Sequence, residues 1–117
     1  EWLGGLHPAE SRELIYQSDM LLVTSRNEGA GRVIGEAITE GTPVIATRVD
    51  GITGLVGDDY SGLFPVGDAA GLAALLTRAE NEDGFLEGLS QRCRTLAPLF
   101  APGEEVQAWK KLIAGLP

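Results

Sequence analysis

The chain has 117 residues, 44% of them hydrophobic, and 17 acidic against 9 basic residues give it a formal net charge of −8. This length fits one domain with a single core, and the apolar fraction excludes an intrinsically disordered chain. The acidic charge argues against nucleic acid or an anionic membrane as the main partner, because both attract basic surfaces.

The first half of the sequence predicts two helices and two strands in alternation. Pro8 suits the first turn of a helix that runs to Gln17. The runs "MLLVT", from Met20 to Thr24, and "PVIAT", from Pro43 to Thr47, are apolar without alternation, which is typical of strands buried on both faces of a parallel sheet. Between them, a helix from Gly31 to Glu40 is expected to end at Gly41. Its apolar face consists of Val33, Ile34, Ala37 and Ile38.

The second half predicts a short strand and three more helices. We expect the strand, "SGLFPV" at residues 61–66, to lie at a sheet edge, because Pro65 lacks an amide donor. Asp68 and Asp83 are each expected to cap a helix. The apolar positions of these two helices are Leu72, Leu75, Leu76 and Ala79, and then Leu86, Leu89, Cys93 and Leu96. Beyond Pro98 and Pro102, the last helix has an apolar face of Val106, Trp109, Leu112, Ile113 and Leu116.

This alternation of strand and helix predicts the α/β class, a Rossmann-like parallel sheet with flanking helices. In such sheets, ligands bind beyond the carboxyl ends of the strands, where loops lead into helices. The segment "SRNEGAG" follows the first apolar run, and "RVDGITG" follows the second. The sequence therefore predicts a ligand site in these two segments.

The stretch "EGAGRVIGE", residues 28–36, has the residue types that such a site needs. Gly29 and Gly31 allow the backbone to approach a ligand closely and to turn into the helix. The free amides at the helix start, near Gly31, Arg32 and Val33, favour a phosphate or diphosphate. Glu28 and Glu36 can accept hydrogen bonds from hydroxyls on either side of that diphosphate. A nucleotide sugar has this layout of sugar, diphosphate and ribose.

These residues also resemble a known family. The two glutamates, separated by seven residues and followed by "AITEGTPVIAT" and "VDGI", resemble the EX7E donor-site signature of retaining GT-B glycosyltransferases of the family 4 type. The resemblance covers the whole chain, from "WLGGL" through "GLFPVGDAAGLAALL". It implies that residues 1–117 form part of the C-terminal, donor-binding domain of such an enzyme, namely its second half.

The resemblance also implies roles for individual residues. Glu28 would contact the hydroxyls of the donor sugar and is the catalytic candidate, and Glu36 would bind the ribose hydroxyls. The diphosphate would lie at the helix start, with Gly29, Gly31, Arg32 and Val33 as the binding candidates. The expected donor is a UDP-sugar, and we expect neither a permanently bound cofactor nor a metal. The expected enzyme is a cytoplasmic transferase of the hexosyl type, and the single cysteine, Cys93, fits a reducing compartment.

The sequence departs from the family pattern at two places. Ala30 stands where the family usually has an aromatic residue, and Thr53 and Gly54 stand where it usually has Pro-Glu. The sugar pocket is therefore expected to have a different shape. The segments "GLVGDDYSGLFPVGD" and "RTLAPLFAPGEE" are most similar to the branch that includes the selenosugar synthase of selenoneine biosynthesis.

Parts of the family's site precede the region that this chain matches. These are a phosphate-binding Arg and Lys, and an N-terminal domain that holds the acceptor. We therefore expect the chain by itself to bind no UDP measurably. We also expect it to self-associate through an unpaired strand edge from Met20 to Thr24.

Each candidate residue also has an ordinary structural interpretation. Glu28 is explained equally well as a solvated loop carboxylate, and Glu36 as the partner of Arg32 in an i, i+4 salt bridge. Arg26 and Arg32 are either diphosphate ligands or solvated surface residues. For the remaining polar candidates and the last tryptophan the structural interpretation is favoured: a helix-start residue for His7, a turn for Asp58 and Asp59, core packing for Cys93 and Trp109.

Two other functions fit the same pattern. A non-catalytic α/β regulatory or binding module, such as a receiver-like domain, would need an acidic cluster at a strand end. The predicted strand ends carry Thr24–Ser25 and Thr47–Arg48 instead. A GT-B-like sugar-nucleotide epimerase remains open, because the sequence specifies neither the base, the sugar nor the acceptor.

Overall fold

The structure of the protein, a computed structural model, describes Gly5, residues 7–26 and 31–100, and Ala114. Helices and strands alternate up to the fourth helix, and a fifth helix and a short 3-10 helix follow it. The elements are α1 (Pro8–Gln17), β1 (Leu21–Val23), α2 (Gly31–Glu40), β2 (Val44–Thr47), α3 (Asp50–Val56), β3 (Leu63–Phe64), α4 (Ala69–Asn81), α5 (Phe85–Leu96) and the 3-10 helix Ala97–Phe100.

The three strands form a parallel sheet in the order β1-β2-β3. Val23 pairs with Ala46, and Thr47 pairs with Phe64. Parallel neighbours require helical crossovers, which α2 and α3 provide. The predicted α/β class is therefore confirmed, and β3 lies at an edge of the described sheet, as the position of Pro65 predicts.

The two apolar runs differ in how deeply they are buried. All four residues of β2 are buried, which confirms the prediction for "PVIAT". In β1, Val23 is buried but the Leu22 side chain is 41% exposed, because no described element covers it. Burial on both faces is therefore wrong for β1. Self-association through this strand stays a prediction, and a charge that tests it belongs at Leu22, since a charge at Val23 would enter the core.

Helix α2 connects the sheet to the expected site and is anchored by its own apolar face. Ile34, Ala37 and Ile38 are completely buried, whereas Val33, also predicted for this face, is exposed. The helix packs against α1, α3 and α5. Gly41 ends it with a φ of +74°, a backbone conformation that favours glycine.

Two local predictions are wrong. Helix α3 was not predicted, since "RVDGITG" reads as a glycine-containing loop, but Ile52 and Val56 lie on one helical face and are buried there. Asp83 does not cap α5. The cap position is Gly84, whose φ of +85° turns the chain into the helix without a side-chain hydrogen bond.

Several structural interpretations of polar residues are confirmed. Asp68 caps α4, and its Oδ1 accepts a hydrogen bond from the Gly71 amide at 2.8 Å. The imidazole of His7 accepts one from the Ala9 amide and so caps α1. Cys93 is fully buried in the core, and burial raises the pKa of its thiol. Of the predicted last helix the structure describes Ala114 alone, which is helical, so Trp109 lies outside the described residues.

Asp59 lies in the predicted turn and binds the guanidinium of Arg92, with 2.8 Å between Arg92 Nη2 and Asp59 Oδ1. The hydrogen bond and positive charge of Arg92 lower the pKa of the Asp59 carboxyl. This turn is thereby attached to α5, next to the start of β3.

The Tyr60 side chain forms hydrogen bonds with the backbone at the amino-terminal end of β2. Its buried hydroxyl donates to the Val44 carbonyl at 2.6 Å and accepts from the Val44 amide at 3.1 Å. Burial is the main reason that the pKa of this hydroxyl is raised. A side chain thus supplies both hydrogen bonds at a position that the two-residue strand β3 does not reach.

We predict that Tyr60→Phe lowers the free energy of unfolding by about 1 to 3 kcal/mol, because the Val44 amide and carbonyl lose their partner in a buried place. Urea denaturation measures this loss. Tyr16→Phe is the matched control, since the Tyr16 side chain is 61% exposed. Equal stability of the two variants would contradict the role of the Tyr60 hydroxyl.

Candidate functional site

The predicted site lies where the chain leaves β1 and enters α2. Thr24, Ser25 and Arg26 follow the strand, and Arg26 is exposed. Glu28, Gly29 and Ala30 lie outside the described residues, so the structure does not locate the first glutamate. The described part of the site after β1 therefore begins again at Gly31, the first residue of α2.

Helix α2 begins at Gly31, as predicted. The amides of Gly31, Arg32 and Val33 belong to its first turn and have no acceptor within the helix. Within the described structure, neither packing nor backbone conformation requires glycine at position 31. A Cβ there would stand 3.7 Å from Leu55 Cδ1, an ordinary contact, and the φ is not positive. A helix start whose amides have no acceptor within the helix suits a bound anion.

A groove of about 450 Å³ extends from this helix start along one side of α2. It brings together Gly31, Arg32 and Glu36, three residues that the sequence predicts for the site. The remaining lining residues, which the sequence does not predict for the site, are Arg12, Gly35, Thr39 and Phe100. The groove therefore joins the helix start to the second glutamate of the motif.

Glu36 is partly sheltered in this groove, with 18% of its side chain exposed. Its Oε1 lies 3.5 Å from Nε of Arg32, whose side chain is 77% exposed. This is the i, i+4 pair of the structural interpretation. The separation exceeds the roughly 2.7 to 2.9 Å of a strong charge-assisted hydrogen bond. Such a loose, solvated pair leaves the carboxylate able to accept hydrogen bonds from a ligand.

The next glutamate on α2 has a different partner. Glu40 Oε1 lies 3.4 Å from Nη2 of Arg12, which belongs to α1. This contact joins α1 to α2. Glu36 and Glu40 are therefore chemically equal residues one turn apart, but only Glu36 lines the groove that begins at the helix start.

Gly35 determines the width of the groove near Phe100. A Cβ at position 35 would lie 3.3 Å from Cδ1 of the phenyl ring, closer than most real contacts. Glycine here lets the 3-10 helix lie against α2. The signal in the sequence is a glycine inside an amphipathic helix, which usually marks close packing.

The other segment at the strand ends, "RVDGITG", leads directly into α3. Thr53 and Gly54, two positions that depart from the family pattern, lie inside this helix. Arg48 is exposed, and its guanidinium donates to the Asp58 carbonyl at 3.1 Å. Among the residues that the structure describes, no group of three His, Cys, Asp or Glu side chains could hold a metal ion.

We predict that Arg32→Gln changes the free energy of unfolding by less than about 0.5 kcal/mol, since exposed i, i+4 ion pairs contribute a few tenths of a kcal/mol. Urea denaturation checks this. Glu82→Gln, which removes another exposed i, i+4 pair, with Arg78, is the comparison. A loss above about 1 kcal/mol for Arg32→Gln alone would show that the pair is a structural element.

The described part of the chain is thus an α/β domain with a groove at a glycine-led helix start, an arrangement typical of domains that bind phosphorylated ligands. Residues 1–96 match the sequence profile of the family described as "Glycosyl transferases group 1". The chain belongs to this glycosyltransferase family. The family resemblance is therefore confirmed, while the selenosugar synthase branch stays a prediction.

Curated relatives agree with this family. The chain is 29% identical over 110 residues to the lipopolysaccharide core biosynthesis glycosyltransferase LpsE of Rhizobium meliloti, covering 92% of this chain and 32% of that protein. It is 34% identical over 83 residues to the N-acetyl-alpha-D-glucosaminyl L-malate synthase of Bacillus anthracis, covering 70% and 22%. It is 38% identical over 84 residues to a D-inositol 3-phosphate glycosyltransferase of Thermomonospora curvata, covering 68% and 20%. The chain thus spans a third or less of the length of these relatives.

None of the helices in residues 7–26 and 31–100 is long and apolar enough to cross a membrane.

Proposed function

We propose that this chain is the donor-binding part of a retaining glycosyltransferase that uses a nucleoside-diphosphate sugar. The observation that carries the proposal is the groove on α2, which joins the helix start at Gly31 to the sheltered carboxylate of Glu36. Membership of the family supplies the reaction type. The groove supplies a place for an anion and for a hydroxyl donor on the same ligand.

In this proposal the diphosphate lies at the first turn of α2. The amides of Gly31, Arg32 and Val33 donate hydrogen bonds to it, and the helix dipole favours its negative charge. The side chain of Arg32 points towards Glu36, so Arg32 contributes through its amide, and its guanidinium pairs with the carboxylate.

Glu36 follows Gly31 by five residues, so it lies about 7.5 Å further along the helix axis. A ligand with a diphosphate and a diol a few bonds apart contacts both places at once. The ribose of a nucleoside diphosphate is such a diol, and UDP is the nucleotide that we propose. Two hydroxyl donors to one carboxylate also give specificity for ribose, because a deoxy sugar leaves an acceptor unpaired.

Glu28 is proposed to bind the sugar on the other side of the diphosphate, and this assignment rests on the EX7E spacing. Retaining transfer builds positive charge on the donor sugar, which a nearby carboxylate stabilises. The acceptor is proposed to bind a separate N-terminal domain, and the reaction to need no metal. The three relatives are named for different products, so they support glycosyl transfer in general and not one acceptor.

We predict that Glu36→Ala weakens binding of UDP by the full-length gene product about 10- to 150-fold, since a lost hydrogen bond to a charged group costs about 1.5 to 3 kcal/mol. Isothermal titration calorimetry measures the affinity. Glu82→Ala is the matched control, because Glu82 also belongs to an i, i+4 ion pair, with Arg78, and neither residue lines the groove. Equal UDP affinity of wild type and Glu36→Ala would remove Glu36 from the site.

We also predict that Glu28→Gln lowers the turnover number with a UDP-sugar much more than it lowers the affinity for free UDP. The carboxylate is assigned to the sugar, where charge develops, and not to the nucleotide. Steady-state kinetics and UDP titration on the same preparation separate the two effects. A variant with weak UDP binding and an unchanged turnover number would reverse the roles of the two glutamates.

A further inference from the structure

We infer that Thr47 is a positioning residue for the donor site. Its buried hydroxyl fixes the segment that leads from β1 to the site, although Thr47 belongs to the neighbouring strand. This inference rests on the proposed function, since that proposal assigns the donor site to the part of the sequence that follows Ser25 and Arg26. Neither the EX7E motif nor the groove lining includes Thr47.

The contact itself is short and sheltered. Thr47 is the last residue of β2, and 2% of it is exposed. Its Oγ1 donates a hydrogen bond to the carbonyl oxygen of Ser25 at 2.5 Å. The end of β2 is itself held by β3, because the Arg48 amide donates to the Phe64 carbonyl at 2.7 Å. The Thr47 hydroxyl is therefore attached to a fixed part of the sheet.

The hydrogen bond begins where the strand ladder stops. The last register pair of β1 and β2 is Val23 with Ala46, and Ser25 lies two residues beyond it. After Val23, no further register pair with β2 fixes the direction of the backbone. The Thr47 side chain replaces the next step of the ladder and holds Ser25 three residues before Glu28.

Helix α2 does not depend on this contact. Its position is set by Ile34, Ala37 and Ile38, which are completely buried. Loss of the Thr47 hydroxyl should therefore affect the loop side of the site, where Glu28 is assigned, and spare Glu36. This gives the inference a kinetic signature: the turnover number falls while the affinity for UDP is kept.

A purely structural role is the competing explanation, and the chain contains a close match for it. Thr42 precedes β2 at the opposite end, is 3% exposed, and donates its hydroxyl hydrogen bond to the Ile15 carbonyl at 2.9 Å. Thr42 and Thr47 thus share residue type, burial and kind of bond, and they lie at opposite ends of β2. Only Thr47 contacts the segment that leads to the proposed site.

The experiment compares Thr47→Val with Thr42→Val in the full-length gene product, since valine keeps the shape of threonine and removes the donor. We expect Thr47→Val to lower the turnover number with a UDP-sugar about 10- to 100-fold, the effect of a misplaced catalytic group. Its affinity for UDP should stay within about threefold of wild type, because α2 is anchored separately. Thr42→Val should keep both values. Hydrogen exchange of the Ser25 and Arg26 amides should accelerate only in Thr47→Val.

A second pair of variants tests the same inference if Thr47→Val does not fold. Thr47→Ser keeps the hydroxyl and loses the methyl group, whereas Thr47→Ala loses both. We expect turnover close to wild type for Thr47→Ser and low turnover for Thr47→Ala, at similar affinity for UDP. Equal turnover of these two variants would overturn the positioning role.

The possible outcomes separate this inference from the proposed function. A wild-type protein that neither binds UDP nor transfers sugar from a UDP-sugar would overturn the proposed function, and the positioning role with it. A wild-type protein that does both, with Thr47→Val and Thr42→Val equal in turnover number and in amide exchange, would overturn the positioning role alone.

Discussion

The burial of β2 is the constraint on which the rest of the described structure depends. It is the middle strand, all four of its residues are buried, and both neighbouring strands are parallel to it. A short parallel sheet has few backbone hydrogen bonds, so its stability comes mainly from the side chains packed on its two faces. Helices α2 and α5 both contact β2, and their buried residues include Ile34, Ile38, Leu89 and Cys93.

Side-chain hydroxyls provide hydrogen bonds at both ends of β2, in addition to those of the short strand ladder. Tyr60 satisfies the backbone of Val44 at one end of β2, Thr42 attaches that end to α1, and Thr47 attaches the other end to Ser25. All three donors are buried, where a hydrogen bond is protected from competing water. The strand thus fixes three different segments around it, one of which leads to the proposed site.

The sequence predicted those features that follow from local pattern. Apolar periodicity located α2, a continuous apolar run located β2, Pro65 placed the third strand at an edge, and Asp68 marked the start of α4. Helix α3 was missed because its glycines have low helix propensity, while the burial of Ile52 and Val56 that stabilises it is a tertiary effect. Asp83 was a misleading cap signal, since Gly84 allows a tight entry into α5 without a side-chain bond.

In the candidate site, too, the sequence predicts what depends on local pattern and does not predict what depends on tertiary packing. The glycine-led helix start and the two glutamates are visible as a motif, because the contacts that define it lie within one segment. The contribution of Arg12 and Phe100 to the groove depends on how α1 and the 3-10 helix pack on α2, which no local pattern shows. The hydrogen bond of Thr47 depends on strand register, since a threonine in a strand gives no sign of which carbonyl it will meet.

The buried Cys93 has a consequence for how this protein can be studied. It is the single cysteine of the sequence, it lies in α5, and its sulfur is 3.8 Å from the Tyr60 hydroxyl beside β2. Its thiol is inaccessible and has a raised pKa, so reagents that need an exposed thiolate will not attack the folded state. The rate of its alkylation therefore follows the separation of α5 from the sheet, and the chain contains its own reporter of core opening.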